Sequence, residues 1–332
     1  MIHSRPRAKA LGHAAILVSL ALGAAVSPSL AQDWPGSRPI RLVVPFPAGG
    51  GTDILSRVIA QRLTEVRKWS IVVENIGGAG GNIGANAAAK ASPDGYTMVM
   101  GQTSNLVINP ALYAKLPYDP QKDFAPVVLV ADLPVVLLVR SGSPFKSLKD
   151  LIDAAKQKPG EITFATPGVG TVSHLAGELI KQSAKIDLLH VPYRGASQAT
   201  IDTISGQAQV LIGSVASVMG QIRGGELRAL AVTGSKRSEA LPDVPTVAEQ
   251  GLENFVATTW YGILVPARTP RAIIDALNAA INAELGTPAV REKIGLEGGV
   301  TIGGTPEHFA GVIKADAGKW TEVVRASGAK VD

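Results

Sequence analysis

Three glycine-rich segments of this sequence, residues 47–53, 77–82 and 166–171, have the composition and placement of anion-binding turns. Each lies where a strand-like run passes into a helix-like run. Glycine permits a tight turn and lets a ligand approach the backbone, and the following helix presents unpaired N–H groups at its positive end. Such a junction binds an anion without lysine or arginine. One such segment could equally be an ordinary tight connection, but the recurrence favours a ligand site.

None of these segments has the spacing of a nucleotide-binding loop. Ile54, Ile83 and Ser173 occupy the positions at which the dinucleotide-binding motif carries its third glycine, and the sequence contains no GxxxxGK[ST] motif. A small carboxylate fits better because a few N–H donors suffice for it. Each charge-assisted hydrogen bond contributes about 1.5–3 kcal/mol net, so roughly four or five of them could support micromolar binding.

The residues that could catalyse a reaction form no recognisable set. After the leader, the histidines are His174, His190 and His308, without the spacing of a helical metal pair. His174 lies just inside a helix that follows a glycine segment and could contact a ligand. Asp53, at a helix start, is expected to act as a capping group rather than a base. We therefore expect no enzyme, no catalytic residue, no metal and no cofactor, and a periplasmic hydrolase using Asp53 and His174 is the alternative.

Two further side chains have open roles. Phe46 precedes the first glycine segment, and its ring could cover the apolar part of a ligand or pack in the core. Arg194 lies in the loop after a strand-like run at 188–191, with Tyr193 beside it. It could pair with a carboxylate or face solvent.

The first 31 residues have the three-part pattern of a secretory signal peptide. Three basic residues precede an apolar run from Leu11 to Val26, and Ser29 and Ala31 supply the small side chains that a signal peptidase recognises. The apolar run is about 16 residues long, short of the roughly 20 that span a bilayer. We expect cleavage after Ala31 and a periplasmic mature protein, rather than a membrane anchor.

Composition excludes several other classes of protein. The chain has 332 residues, of which 46% are hydrophobic and none is cysteine, so disulfides and cysteine-ligated metals are impossible. The leader holds three of the 32 basic residues and none of the 27 acidic ones, so the remainder carries a net charge of only +2. A nearly neutral protein gives no electrostatic reason to expect nucleic acid as a partner.

Beyond residue 39, short β-rich runs alternate with longer amphipathic runs, which predicts mostly parallel sheets covered by helices. A capping box is expected at Ser147, and Thr269-Pro270 and Thr305-Pro306 each have the pattern of an N-cap followed by proline. Strands are predicted at 40–44, 70–74, 97–101, 135–140, 162–165, 188–191, 208–213 and 227–232, and helices at 53–67, 81–90, from 147 and from 171. Length suggests two lobes, with crossings in the proline-dense stretches 117–126 and 242–245.

Five ordered sequence runs resemble the Bug receptor family, the TctC-like extracytoplasmic solute-binding proteins of tripartite tricarboxylate transporters. The resemblance covers essentially the whole mature chain. The runs are VPFPAGGGTD (44–53), ENIGGAGGNIGA (74–85), HVPYRGASQA (190–199), LRALAVTGSKRSEALPDVPTVAEQG (227–251) and WYGILVPARTP (260–270).

This resemblance implies an α/β fold of the type II periplasmic-binding-protein (Venus flytrap) class, with a mixed, mostly parallel sheet flanked by helices in each lobe. We expect residues 32–131 plus 256–332 to form one lobe and residues 132–255 the other. It also implies a small organic carboxylate in the interlobe cleft and membrane permease subunits as partners of a monomeric receptor, or alternatively a sensor that feeds a two-component system. The candidate ligand-binding residues are Phe46, Ala48, Gly49, Gly50, Thr52, Asp53, Gln102, Thr103, Ser104, Ala165, Thr166, Gly168 and Thr171 from the resemblance, with His174, Tyr193 and Ser214 from their positions in the sequence.

Overall fold

Ten strands make up one mixed sheet in the part of the chain that the computed structural model describes, residues 1–3, 34–329 and 331. The strand order is β2-β1-β3-β9-β4-β7-β5-β6, and β8 and β10 also pair with β4. The strands are β1 (Ile40–Val44), β2 (Ile71–Asn75), β3 (Thr97–Gln102), β4 (Phe124–Arg140), β5 (Thr163–Thr166), β6 (Leu189–Pro192), β7 (Val210–Ser214), β8 (Leu227–Val232), β9 (Thr258–Pro266) and β10 (Val300–Thr301).

Helices cover this sheet because their apolar residues recur every three or four positions. In the first helix, Leu55, Ile59 and Leu63 are fully buried along one face. The helices are α1 (Gly51–Arg67), α2 (Asn82–Ala89), α3 (Asn109–Leu112), α4 (Leu148–Gln157), α5 (Val172–Ala184), α6 (Ala196–Ser205), α7 (Val215–Arg223), α8 (Arg271–Leu285), α9 (Pro288–Leu296) and α10 (Pro306–Ser327).

Strand direction differs between the ends and the middle of the sheet. At one end β1 runs parallel to β2 and β3, and at the other β5 runs parallel to β6 and β7, as the alternating pattern predicts. In the middle, β4 is antiparallel to β7, β8, β9 and β10. The mixed α/β architecture is confirmed, and the antiparallel centre arises because the two long strands β4 and β9 run in opposite directions through it.

The long strand β4 corrects the expected start of a strand. We predicted a strand only from residue 135, whereas the observed strand begins at Phe124. Its register shifts between Pro126 and Val128 and again between Leu129 and Ala131, and such bulges accommodate a proline that cannot donate to the ladder.

The proline-dense stretches do not carry the chain across the sheet. Residues 124–126 pair with β9. Pro245 accepts a hydrogen bond from the Val232 N–H at 3.0 Å, so the second stretch lies along β8. The segment that does pass from β9 and β10 to β7 and β8 is β4 itself.

Most local signals at helix ends are confirmed. The capping box at Ser147 is present, with reciprocal hydrogen bonds between Ser147 and Asp150, and the Thr305 side chain caps α10 with proline as the next residue. The expectation at Thr269 is wrong by one residue. Pro270 is the N-cap of α8, and the Thr269 hydroxyl donates to the Pro266 carbonyl at 2.7 Å instead.

Every element named above lies within residues 35–332. The predicted signal peptide and its cleavage site fall on residues 4–33, outside the described residues. Among the residues that are described, no helix combines the length and apolarity that crossing a membrane requires.

Candidate functional site

A cavity of about 60 Å³, here called the inner cavity, lies where the first turns of four helices meet. Helices α1, α5, α6 and α7 each contribute backbone from their N-terminal end. Its lining residues are Phe46, Pro47, Gly50, Gly51, Thr52, Gln102, Ser104, Val135, Pro167, Thr171, Val172, Ser173, Gly195, Ala196, Ser214, Ser217, Thr259 and Tyr261.

The inner cavity has the electrostatic character of an anion site made from backbone. No lysine, arginine, histidine or carboxylate is among its lining residues. Residues from the N-terminal ends of four helices border it instead, and such ends carry a positive dipole and unpaired N–H groups. Hydroxyl groups of serine, threonine and tyrosine supply further donors. The arrangement can therefore hold a negative charge without a cationic side chain.

Two of the four helix starts lack a side-chain cap. The N-cap residues of α1 and α6 are Gly50 and Gly195, and neither can accept a hydrogen bond through a side chain. The N-cap residues of α5 and α7 are Thr171 and Ser214, whose hydroxyl oxygens accept from backbone N–H groups. Free N–H donors are thus concentrated at α1 and α6.

Asp53 holds the first glycine segment in shape and does not line the inner cavity. Its carboxylate accepts hydrogen bonds at 3.0 Å from the Gly49 N–H, from Arg57 Nε and from Asn75 Nδ2. Burial alone would raise the pKa of Asp53, but these hydrogen bonds and the Arg57 charge outweigh it, and the pKa is lowered. This ionised carboxylate with three hydrogen-bond donors therefore braces the loop, although it is not the N-cap of α1, which is Gly50.

His174 and His190 contact the third glycine segment and do not line the inner cavity. Their rings stack with centroids 4.0 Å apart, and Phe164 stacks on the other face of His190. His190 Nε2 lies 2.7 Å from the Thr166 hydroxyl oxygen, and the Gly170 N–H points at His174 Nδ1 over 3.4 Å. Burial lowers the pKa of His174 to about 4. Burial, together with the charge of His174, lowers the pKa of His190 to about 3. Both rings are neutral at physiological pH.

A second cavity, of about 830 Å³, lies beside the inner one and is here called the outer cavity. The second glycine segment lines this cavity and not the inner one, so only the first and third segments meet at the inner cavity. The lining residues of the outer cavity are Phe46, Pro47, Asn75, Gly77, Gly78, Ala79, Gly80, Gly81, Tyr113, Pro167, Gly168, Val169, Thr171, Pro192, Tyr193, Arg194 and Val331.

The sixteen candidate residues are distributed over three places. Seven line the inner cavity, namely Phe46, Gly50, Thr52, Gln102, Ser104, Thr171 and Ser214. Gly168 and Tyr193 line the outer cavity. The remaining seven line neither cavity: Ala48, Gly49, Asp53, Thr103, Ala165, Thr166 and His174. Two of these residues hydrogen-bond to neighbouring segments instead. Thr103 Oγ1 accepts from the Trp260 N–H, and Thr166 Oγ1 accepts from the Gly168 N–H and lies 2.7 Å from His190 Nε2.

Sequence reasoning missed Tyr261 as a cavity residue. It lies on β9 opposite Gln102 of β3, so the antiparallel pairing places both at the cavity. Burial raises the pKa of its hydroxyl, which therefore stays a neutral donor. The run WYGILVPARTP contains this residue, but only the strand register shows that it reaches the inner cavity. Three more residues of the inner cavity were not predicted: Ser173, Ser217 and Thr259.

A buried amide network holds the second glycine segment. Asn109 Nδ2 donates to the Gly80 carbonyl at 2.9 Å and to Asn82 Oδ1 at 2.6 Å, and the Tyr118 hydroxyl bonds to Asn82 Oδ1 and to the Asn105 carbonyl. Asn105 belongs to a π-helical turn, Ser104–Ile108, which begins with a cavity residue. Such turns are frequent at functional sites.

Among the described residues, no group of three histidine, aspartate or glutamate side chains is arranged to bind a metal ion.

Comparison with known proteins gives one consistent family. Residues 55–328 match the family model described as tripartite tricarboxylate transporter family receptor, TctC. Protein BugT of Bordetella pertussis is 37% identical over 319 residues, which cover 96% of this chain and 98% of that protein.

Solved structures agree with this match. The R. palustris protein Rpa4515, determined with adipate, has a TM-score of 0.87 and 35% identity, covering 90% of this chain and all of that one. The periplasmic binding protein BugD has a TM-score of 0.83 and 33% identity, covering 88% of this chain and 98% of its own. MatC from Rhodopseudomonas palustris with bound malate has a TM-score of 0.81 and 32% identity, covering 87% and 99%.

Proposed function

The chain belongs to the tripartite tricarboxylate transporter receptor family, whose solved relatives include periplasmic binding proteins, and from this premise we propose that it captures a small organic carboxylate in the inner cavity. The observation that carries the proposal is the convergence of four helix N-termini on a cavity without charged side chains. A carboxylate there would receive N–H donors from α1 on one side and from α5, α6 and α7 on the other.

Carboxylates are the ligands of two similar proteins, adipate in Rpa4515 and malate in MatC. Both are dicarboxylates, and they differ in chain length and polarity. The hydroxyl groups of Ser104, Ser214 and Tyr261 would add neutral donors to the backbone N–H groups of the inner cavity. We propose a dicarboxylate as the ligand of this chain.

We further propose that residues 32–131 with 256–332, and residues 132–255, form two lobes that close on the ligand. The pairing of β4 supports this division, since its partners change from β9 and β10 to β7 and β8 between Pro134 and Val135. The Ala257 N–H donates to the Thr233 carbonyl at 2.9 Å beside this point, where the chain returns. A ligand that contacts both lobes would favour the closed form because it binds that form more tightly.

A binding role without catalysis agrees with the surroundings of the two groups that a hydrolase would use. The carboxylate of Asp53 is engaged by three donors. The ring of His174 stacks on the ring of His190. Neither Asp53 nor His174 lines the inner cavity. We therefore propose a receptor and not an enzyme.

Family membership supports a role in uptake. We propose that the mature chain, after cleavage behind Ala31, is a monomer in the periplasm and delivers its ligand to the membrane permease subunits of a tripartite transporter.

A thermal-shift screen of the purified mature chain tests the proposed function. Dicarboxylates of increasing length are compared with their neutral diamides, which have the same shape without the charge. A ligand at a hundredfold excess over its Kd should add about 2.7 kcal/mol of stability, and the diamides should add none. No shift with any acid of a broad panel, or equal shifts with acid and amide, would contradict the proposal.

A further inference from the structure

A thin wall separates the inner and outer cavities. Four residues line both cavities: Phe46, which precedes the first glycine segment, Pro47 within that segment, and Pro167 and Thr171 of the third. The two spaces therefore adjoin each other at these four side chains. A ligand longer than the inner cavity has only to pass these side chains to enter the outer one.

Bare glycine backbone surrounds the Phe46–Pro47 part of the wall. A Cβ built on Gly81 would lie 2.9 Å from Phe46 Cζ, and one built on Gly77 would lie 3.1 Å from Pro47 Cδ. On the opposite side, a Cβ on Gly195 would lie 3.2 Å from Pro47 Cγ. The two side chains thus pack on three glycines, and because Phe46 is only half-buried and Pro47 is exposed, they can shift without unpacking a core.

The outer cavity is apolar with one cation at its edge. Besides the wall, Tyr113, Pro192 and Tyr193 contribute rings to its surface. Among the described residues that line this cavity, Arg194 is the only charged one. Its side chain is exposed, and within the described residues it takes part in none of the ion pairs. A guanidinium that pairs with no carboxylate of the described residues is available to a carboxylate of a ligand.

We propose that the outer cavity is a second compartment of the ligand site, which receives the apolar chain or ring of an elongated diacid, and that Arg194 pairs with the distal carboxylate of that ligand. This inference rests on the proposed function, because the first carboxylate lies in the inner cavity. The rings of the outer cavity cover the apolar spacer between the two charges, and each methylene they bury strengthens binding about fourfold. The cation at the edge selects a diacid over a monoacid of equal length.

Calorimetric titration of the mature chain tests this inference. The probes are straight-chain diacids from four to ten carbons and the monoacids of matching length. The variant is Arg194→Gln, and the control is Arg67→Gln, an exposed arginine at the opposite end of α1 from the cavity. Affinity should rise with diacid length once the chain passes the wall. Arg194→Gln should weaken the long diacids about fivefold to tenfold and change the monoacids and the shortest diacid less than twofold. Arg67→Gln should change none of them.

The outcomes separate this inference from the proposed function. If no acid binds the unmodified chain, the proposed function itself fails. If short diacids bind but affinity falls with length, the outer cavity receives no ligand and the inference is overturned. It is equally overturned if Arg194→Gln weakens monoacids and diacids alike, because that result indicates general attraction of anions to the entrance.

Discussion

The hydroxyl oxygen of Tyr261 lies 2.8 Å from the position at which a Cβ would stand on Gly51, and the hydroxyl oxygen of Ser214 lies 2.9 Å from the same point. Gly51 is the first residue of α1, and its absent side chain leaves room between the helix start and two hydroxyl groups of the inner cavity. This residue is not in the left-handed region of backbone conformation, so alanine would be compatible with its backbone. The space, and not the backbone angle, requires glycine here.

Gly51→Ala should therefore reduce ligand affinity with little effect on folding. The added methyl group occupies the space where α1, Tyr261 and Ser214 would converge on a carboxylate, and we expect at least a tenfold increase in Kd. The free energy of unfolding should change by about 1 kcal/mol or less, since alanine favours the helix and the clash falls on side-chain ends. Calorimetric titration and urea unfolding measure the two quantities.

Gly220→Ala is the matched control for this substitution. Gly220 lies in α7, and a Cβ there meets no atom within 4 Å. It should bind ligand as the unmodified chain does and unfold at a slightly higher urea concentration. An unchanged Kd in Gly51→Ala would show that the ligand is not held at the start of α1.

Asp53→Asn should destabilise the protein by about 1–3 kcal/mol at neutral pH, because it removes the charge from a buried carboxylate that accepts three hydrogen bonds. The pKa of Asp53 is lowered by its partners. Its stabilising contribution is therefore fully present above the pKa of the unfolded chain and is lost as the pH falls through the folded value. Urea unfolding between about pH 7 and pH 3 should show a smaller loss in the variant than in the unmodified chain.

Asp153→Asn supplies the comparison for Asp53. Asp153 also pairs with a cation four residues away, Lys149, but its side chain is 48% exposed whereas that of Asp53 is 5% exposed. Asp153→Asn should therefore lower the free energy of unfolding by about 0.5 kcal/mol or less. Were the unmodified chain to hydrolyse a carboxylate ester, and Asp53→Asn to abolish that turnover, the protein would be an enzyme and the receptor proposal would be wrong.

The stacked histidines predict a steep loss of stability in weak acid. The pKa of His174 is lowered to about 4 and that of His190 to about 3 by burial, against about 6.5 in an unfolded chain. Between these values only the unfolded chain binds the protons. Stability therefore falls as the pH decreases below about 6.5, by up to about 1.4 kcal/mol per pH unit for each ring. Urea unfolding between about pH 7 and pH 4.5 measures this slope.

His190→Gln should reduce the dependence of the unfolding free energy on pH by the contribution of one ring. Glutamine keeps a polar group beside Thr166. If His190→Gln had the same slope as the unmodified chain, His190 would not be neutral and buried in the folded protein.

The sequence predicts those parts of the fold that local chemistry determines. Local signals recover the capping box at Ser147, the threonine cap at Thr305, a helix start near residue 171, and the run from β1 through a glycine segment into α1. They do so because turns, caps and periodicity depend on neighbouring residues. The start of β4 is not recovered, since proline within residues 124–134 is typical of a loop and only pairing with β9 compensates for it.

The candidate site was predictable to a similar extent. Residues on glycine turns and strand ends, such as Gly50 and Ser214, lie at the inner cavity. Tyr261 does not follow from any motif, because its place depends on the register between β9 and β3. His174 stacks on His190 because β6 pairs with β5 beside α5, and nothing local in the sequence encodes a contact between two residues so far apart.

Thr233→Val should weaken the crossing between the two proposed lobes. The fully buried Thr233 hydroxyl accepts from the Val135 N–H at 3.0 Å and donates to the Ala257 carbonyl at 2.6 Å. Valine leaves both backbone groups unsatisfied, at a cost of about 1–3 kcal/mol. Urea unfolding measures the loss.

Small-angle scattering with and without ligand then tests closure. The radius of gyration of the unmodified chain should decrease when ligand binds. Thr321→Val removes a similar hydrogen bond from an exposed turn of α10. It is the control for Thr233→Val and should have the same free energy of unfolding as the unmodified chain. An identical radius of gyration in the free and bound states would contradict the proposed two-lobe closure.

A crystal structure of the mature chain with a diacid bound would test most directly whether backbone N–H groups hold the anion. We predict carboxylate oxygens within about 3 Å of the backbone nitrogens at the start of α1 and at the start of at least one of α5, α6 and α7. A diacid whose carboxylates both pair with cationic side chains, or that lies outside the inner cavity, would contradict this account.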